Sequence, residues 1–165
     1  KGKDIAYITH PLTVGLILSL AGANEDEIAA GILHDTIEDS HKDHKVTKEM
    51  LAERFGEAVA TLVDSVTEKN KEAQSWAEHK REALEHIKDF SHGSLLVKSA
   101  DILSNLTELV EDYEKDGEKV FERFAAPKVA MLENQLRLIT AIIERWPENP
   151  LAEDLKSVAR EIQSL

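Results

Sequence analysis

The chain has 165 residues, no cysteine and a formal net charge of −12. The lack of cysteine excludes disulfides, thiolate metal sites and a cysteine nucleophile, and the negative charge disfavours a nucleic-acid partner. No apolar run approaches the roughly 18 residues of a membrane span and no signal-peptide pattern is present, so we expect no membrane partner and a cytoplasmic location by default. A small phosphorylated ligand stays compatible with this charge, because a bound metal ion dominates the field inside a pocket.

Helical patterns begin close to the N-terminal end. Pro11 is well tolerated at the first position of a helix, and residues 12–20 are apolar almost all round, which predicts a helix buried inside a bundle. Asn24 and Glu27 have the spacing of a capping arrangement. They predict a second helix that runs to Glu38.

Further helices are predicted at residues 47–55, 59–66, 76–87, 95–110, 120–145 and 151–162. The polar segments 40–46 and 69–74 are predicted loops, the second one mobile, and a break is expected at 91–93. Alternating strand patterns are absent, so the predicted fold class is all-α. We expect one domain over residues 1–165, with the natural N-terminus missing because residue 1 is a lysine.

An imidazole and three carboxylates lie at the end of the second predicted helix: His34, Asp35, Glu38 and Asp39. On a helix, residues three and four apart share a face, and the preceding residues are apolar. Unpaired carboxylates at a buried site would cost several kcal/mol or shift their pKa values until they are neutral. A divalent cation is the simplest compensating charge, and these donor atoms suit Mn, Fe, Co or Zn.

Two more residues complete a candidate set of ligands. His10 stands at the start of the first predicted helix, and Asp101 lies within an apolar helical stretch, where aspartate has poor helix propensity. Asn105 is one turn further on the same face. Taken singly, such a histidine also caps helices and such an aspartate also satisfies core hydrogen bonds. In the order His, His-Asp, Asp, they predict a metal site.

Three segments carry a resemblance to a known family: residues 7–11 (YITHP), 30–39 (AGILHDTIED) and 97–106 (VKSADILSNL), with shorter matches at 55–56 and 63–67. They resemble the hydrolase domain of RelA/SpoT homologues, within the HD superfamily of metal-dependent phosphohydrolases. The shortness of the chain is similar to that of the stand-alone small alarmone hydrolases.

The resemblance implies a multi-helix HD-domain bundle around a central metal site that holds one Mn²⁺ and removes the 3′-pyrophosphate of (p)ppGpp. It implies the following roles: His10, His34, Asp35 and Asp101 as metal ligands, Glu38 and Asp39 as the acids that position and deprotonate the attacking water, and Asn105, Lys80, Arg81 and Lys1 as substrate contacts. The implied partner is a small phosphorylated nucleotide. The oligomeric state is left open.

Two positions differ from the usual family pattern. Ile102 stands where a basic residue is common, and Ser104 where an aromatic residue or a histidine is common. They keep a second hypothesis open, an HD phosphohydrolase acting on another nucleotide or phosphate ester. A third hypothesis is a non-catalytic module that binds a nucleotide.

Other features have a structural interpretation beside a functional one. His41 and His44 could add metal ligands, but their polar loop predicts exposure. Trp76 and Trp146 are predicted to be packing residues. The apolar series at 129–143 could support self-association, but burial in the core is the favoured interpretation.

Overall fold

The computed structural model describes residues 6–41, 43–68 and 75–165. These residues form helices and no strand, which confirms the predicted all-α class. The α-helices are α1 (Thr9–Leu20), α2 (Glu25–Leu33), α3 (Lys48–Phe55), α4 (Glu57–Val66), α5 (Trp76–His86), α6 (His92–Asp116), α7 (Lys128–Arg145) and α8 (Ala152–Gln163). Short 3-10 helices follow α5 (Ile87–Asp89) and α6 (Gly117–Arg123). None of the described helices is long and apolar enough to cross a membrane.

Helix α6 is the centre of the bundle. It packs against α1, α2, α4, α7 and α8, and Leu95, Val97 and Ala100 on it are fully buried. The Ser91 hydroxyl caps its N-terminus by accepting a hydrogen bond from the Ser94 amide, as serine commonly does. Polar side chains on the packed faces of α6, such as Ser99, Asp101 and Ser104, are therefore placed in the interior of the protein.

Helices α1 and α2 approach each other closely at Gly31. A Cβ atom at this position would lie 2.1 Å from Leu18 Cδ1 and 3.2 Å from Val14 Cγ1. Since Leu18 and Val14 are fully buried, a larger side chain fits there only if the Leu18 side chain or α1 shifts. This contact sets how closely the middle and C-terminal part of α1 approach the end of α2.

The prediction that α1 is buried all round is wrong. Leu12, Leu16 and Leu20 are exposed, and Leu20 keeps 81% of its accessible surface. The physical reason is that α1 packs mainly against α2 and α6. The described residues supply no further helix for its opposite face.

The second predicted helix ends earlier than expected. It ends at Leu33, and residues 34–39 form turns. The backbone amide and the hydroxyl of Thr36 both donate to the Leu33 carbonyl, at 2.9 and 2.6 Å. These hydrogen bonds reach back three residues, as in a 3-10 turn, and they replace the bonds to the fourth preceding residue that define an α-helix.

Helix α6 and the segment after it also differ from expectation. The predicted break at 91–93 is the start of α6, and α6 continues to Asp116 rather than ending at residue 110. The predicted helix at 120–145 is divided, because Pro127 has an extended backbone and α7 begins only after it. Proline disfavours helical continuation through the preceding residues.

Burial decides most of the remaining predictions about packing. Leu138, Ile139 and Ile142 of α7 are in the core, so core burial is confirmed for the C-terminal half of this series, whereas Val129 at its start is exposed. Trp146 packs against the core and stacks on His92, with ring centroids 4.3 Å apart. Trp76, at the start of α5, is exposed, so the prediction that it is a packing residue is wrong. The predicted mobile loop 69–74 lies outside the described residues.

Candidate metal centre

Three parts of the bundle bring the predicted ligands together. His10 lies in the first turn of α1, His34 and Asp35 follow the last residue of α2, and Asp101 lies within α6. One donor atom each from His10, His34 and Asp101 lies within 4.8 Å of the others. Asp35 is adjacent to this trio. Residues far apart in the chain therefore meet because α1, α2 and α6 pack on one another.

The spacing of the donor atoms fits a metal ion. His10 Nε2 lies 3.3 Å from His34 Nε2 and 3.4 Å from Asp101 Oδ1, and His34 Nε2 lies 3.5 Å from that same oxygen. Asp35 Oδ1 is 3.1 Å from His34 Nε2. Donor atoms about 2.1 Å from one ion lie roughly 3.0 to 3.4 Å apart. Two imidazole nitrogens with carboxylate oxygens form a donor set for a borderline divalent cation.

Each histidine ring is held through its other nitrogen. His34 Nδ1 lies 2.7 Å from the Gly31 carbonyl oxygen. Since a carbonyl only accepts, Nδ1 carries a proton and Nε2 faces the cluster. His10 Nδ1 lies 3.0 Å from the Ser104 hydroxyl oxygen. Such partners orient the imidazole ligands of metal sites.

Asp101 is the most enclosed acid of the centre. Lys98 Nζ donates to its Oδ2 at 2.9 Å, and Asn105 Nδ2 donates to its Oδ1 at 2.6 Å. Burial alone would raise the pKa of Asp101, but the Lys98 charge and the hydrogen bonds from His10 and His34 hold it well below its usual value. Asp101 is therefore an anion.

The acids in turn hold a proton on His34. Burial, the largest single influence, lowers the pKa of His34, but hydrogen bonds and charges of Asp101 and Asp35 outweigh it and raise that pKa to about 10. Burial also acts to raise the pKa of Asp35, yet hydrogen bonds from His34 and Tyr7 lower it overall. A divalent cation would take the place of this proton and satisfy the same anions.

Glu38 and Asp39 lie beside the cluster on the turns that follow α2, and both line one large cavity. Glu38 Oε2 accepts a hydrogen bond of 2.9 Å from the backbone amide of Glu68. The Glu68 carboxylate pairs with Lys80 at 3.1 Å and with the buried His79 at 3.3 Å. The position of Glu38 thus depends on the segment that follows α4.

The cavity has a volume of about 1200 Å³, which is large enough for a nucleotide. The predicted ligands line it, and so do Asn105 and Lys80. Arg81 is exposed and does not line the cavity, so of the two neighbouring basic residues Lys80 and Arg81 only Lys80 faces it. Arg123, paired with Asp112, adds a positive charge to the wall. Lys1 lies outside the described residues.

The two loop histidines are exposed, as predicted. His41 pairs with Asp43 at 3.4 Å. His44 lines the outer part of the cavity. Neither belongs to the trio of donor atoms within 4.8 Å.

Four contributors were missed in the sequence: Tyr7, Glu68, Lys98 and Ser104. Lys98 had a local signal, since it stands three residues before Asp101 and so shares its helix face. Ser104 was noted only as a departure from the family pattern. Tyr7 and Glu68 act on residues 28 and 30 positions away, and no local pattern indicates such contacts.

A helical bundle with histidine and aspartate donors at the meeting point of three helices defines a class of metal-binding helical domains. The family model described as HD domain matches residues 1–130. The chain belongs to the HD domain family.

Curated relatives include the guanosine-3′,5′-bis(diphosphate) 3′-pyrophosphohydrolase MESH1 of Danio rerio, 42% identical over 105 residues, which are 62% of this chain and 55% of the relative. The Xenopus tropicalis protein of the same name is 39% identical over the same shares. The chain thus spans about half the length of these curated relatives.

Two solved structures share the fold. The Listeria monocytogenes protein lmo0812 has a TM-score of 0.81 at 28% identity, over 94% of this chain and 97% of that one. A structure titled as a metazoan orthologue of SpoT that hydrolyses ppGpp has a TM-score of 0.77 at 24% identity, over 99% and 85%. Because its sequence identity is only 24%, the similarity to the second structure supports a shared fold and nothing more.

Proposed function

We propose that this chain is a metal-dependent phosphohydrolase that removes the 3′-pyrophosphate of (p)ppGpp. The observation that carries the proposal is that Glu38 and Asp39 line the same cavity as the cluster of His10, His34 and Asp101. The activity for which the curated relatives are named supports the same substrate. A cytoplasmic location stays a prediction.

In this proposal His10, His34, Asp35 and Asp101 hold one Mn²⁺. When bound, such an ion lowers the pKa of water and polarises a phosphoryl oxygen. The donor set supports a borderline divalent cation, and Mn²⁺ is the member that the family resemblance implies.

Glu38 and Asp39 provide carboxylates at the cavity wall, where one of them takes the proton of the attacking water. The water oxygen bonds to the phosphorus attached to the 3′-oxygen, and the bond between that phosphorus and the 3′-oxygen breaks. The 3′-oxygen takes up the proton held by the carboxylate and becomes a hydroxyl, and pyrophosphate leaves. The hydrogen bond from the Glu68 amide holds Glu38 in place. Asn105 and Lys80, which line the cavity, are the proposed contacts to the nucleotide. Lys1 and Arg81 stay predictions of the family resemblance, since Lys1 lies outside the described residues and Arg81 does not line the cavity.

The test is pyrophosphate release from ppGpp by the full chain with Mn²⁺. Glu38→Gln and Asp39→Asn should each lower kcat by about a hundredfold or more, since a positioned base contributes at least that much. Glu53→Gln, an exposed acid on α3 away from the cavity, is the matched control and should retain full activity. Undiminished turnover in both cavity variants would refute the proposed roles.

The buried Ile102 lines the cavity and favours a second candidate, a phosphohydrolase for another nucleotide. A panel of nucleotides, with phosphate and pyrophosphate measured separately, separates the two. Preference for simple nucleoside monophosphates would favour the second candidate. Binding of nucleotide by calorimetry without turnover of any panel member would favour a regulatory module.

A further inference from the structure

Ser104 is buried on α6, one turn beyond Asp101, and its hydroxyl faces α1 rather than its own helix. Its Oγ lies 3.0 Å from His10 Nδ1, across 94 residues of sequence. His10 Nε2 points the opposite way, into the cluster, 3.4 Å from Asp101 Oδ1. Ser104 therefore stands behind the ring of His10, on the side away from the cluster.

The two histidines of the centre differ in the hydrogen-bond partner that determines whether Nδ1 carries a proton. The partner of His34 Nδ1 is a backbone carbonyl, which can only accept, so His34 has one possible arrangement. The partner of His10 Nδ1 is a hydroxyl, which can both donate and accept. The proton of His10 is thus set by a single side chain, whereas the proton of His34 is set by the backbone.

We propose that Ser104 is a positioning residue, which accepts the Nδ1 proton of His10 and so directs the lone pair of Nε2 towards the metal ion. An imidazole binds a metal through an unprotonated nitrogen, and the hydrogen bond at the other nitrogen selects which one that is. The His10 side chain is 90% buried, so water does not readily replace the hydroxyl. This inference rests on the metal centre of the proposed function.

The experiment is calorimetric titration of the metal-free full chain with Mn²⁺. Ser104→Ala should raise the Kd for Mn²⁺ by about 10- to 100-fold, the usual loss when the hydrogen-bond partner of a ligand is removed. Ser104→Thr keeps the hydroxyl and should restore most of the affinity.

The matched control is Ser99→Ala. Ser99 is also buried on α6, but its hydroxyl donates to the Leu95 carbonyl and accepts from Asn149, away from the cluster. Its loss should lower thermal stability and leave the Kd for Mn²⁺ within twofold of wild type. Equal losses of affinity in both alanine variants would overturn the role of Ser104, and so would an unchanged Kd in Ser104→Ala.

A second measurement needs no variant. In the Zn²⁺-loaded wild-type protein, the ¹⁵N spectrum of the histidine rings should show His10 protonated at Nδ1 and bound to metal through Nε2. The opposite arrangement would overturn the inference even if Ser104→Ala did not fold. If the wild type bound neither ion, the proposed metal centre itself would be refuted. That result differs from metal binding that is unaffected by the loss of Ser104, which would refute only the role of Ser104.

Discussion

Lys98 places a positive charge 2.9 Å from Asp101 inside the bundle, and its side chain is only 18% exposed. Burial would lower the pKa of Lys98, but the charges of Asp101 and Glu68 raise it overall. The lysine is therefore a permanent cation. It balances part of the negative charge of the centre when no metal ion does so.

Lys98→Met should destabilise the metal-free protein by about 3 kcal/mol, because it leaves a buried carboxylate without its partner. Saturating Mn²⁺ should reduce this difference, since the ion supplies compensating charge and stabilises the state that binds it. Chemical denaturation with and without Mn²⁺ measures both effects. Lys88→Met, which removes an exposed pair with Glu85, should cost less than about 1 kcal/mol, and an equally small loss at Lys98 would contradict this prediction.

The raised pKa of His34 gives the metal centre a pH dependence. In the metal-free fold, protonation of His34 contributes stability that is fully present below its ordinary pKa of 6.5 and lost as the pH rises through about 10. A metal ion requires the unprotonated ring. At any pH below about 10, metal binding to the folded protein must therefore expel this proton.

We therefore expect the affinity of the folded protein for Mn²⁺ to rise with pH until about pH 10, by up to about tenfold per unit. Calorimetry at pH 7.5 in buffers of different ionisation enthalpy should show release of about one proton per ion. Binding without proton release at that pH would show that His34 is already neutral in the metal-free protein.

At the scale of helices, the geometry of the centre depends on how closely α1 and α2 approach. Gly31 supplies the carbonyl that orients His34, and it lies against Leu18 of α1. Gly15, on the other helix, has a looser neighbour. A Cβ atom there would meet the side chain of Ile32 at 2.7 Å, and Ile32 is 36% exposed and has space to move.

Gly31→Ala should destabilise the protein by about 1–3 kcal/mol through overpacking, although alanine has the better helix propensity. It should also weaken Mn²⁺ binding, because the two helices carry His10 and His34. Gly15→Ala is the control, and we expect a smaller loss of both stability and affinity. Thermal unfolding and metal titration of the two variants measure this, and a neutral Gly31→Ala would show that α1 moves freely.

Some features of the helices follow from the local sequence, and others depend on contacts made only in the folded protein. The capping spacing of Asn24 and Glu27 predicted the start of α2, and the candidate ligands followed from residue type and order. The end of α2 depended on a side-chain bond of Thr36 that a propensity does not contain. The exposed face of α1 depended on which helices surround it. Ser104 and His10 meet only in the folded bundle, so their contact had no local signal.

At the scale of the whole molecule, the C-terminal part of the chain is a support for α6. Leu155, Val158 and Ile162 of α8 are buried in the shared core at helical spacing. Helix α8 packs against α6 and α7. None of its residues lines the large cavity, so we expect α8 to contribute to stability without contacting the proposed metal centre.

Leu155→Ala should lower the free energy of unfolding by about 2–5 kcal/mol, as expected for a fully buried leucine, and leave the Kd for Mn²⁺ unchanged in the folded protein. Leu20→Ala, on the exposed face of α1, should change stability by no more than about 0.5 kcal/mol. Denaturant titration combined with calorimetry measures both quantities. A large change of Kd in Leu155→Ala would mean that α8 controls the centre.

The donor atoms lie on α1, on the turn after α2 and on α6, and this arrangement has a kinetic consequence. His10 is 24 residues from His34 and 94 from Ser104, so the centre forms only after distant parts of the chain have closed their loops. An ion that binds after the folding transition state slows unfolding and leaves the refolding rate unchanged. Stopped-flow measurements should find the refolding rate independent of Mn²⁺ concentration, while the lifetime of the native state lengthens with each increase.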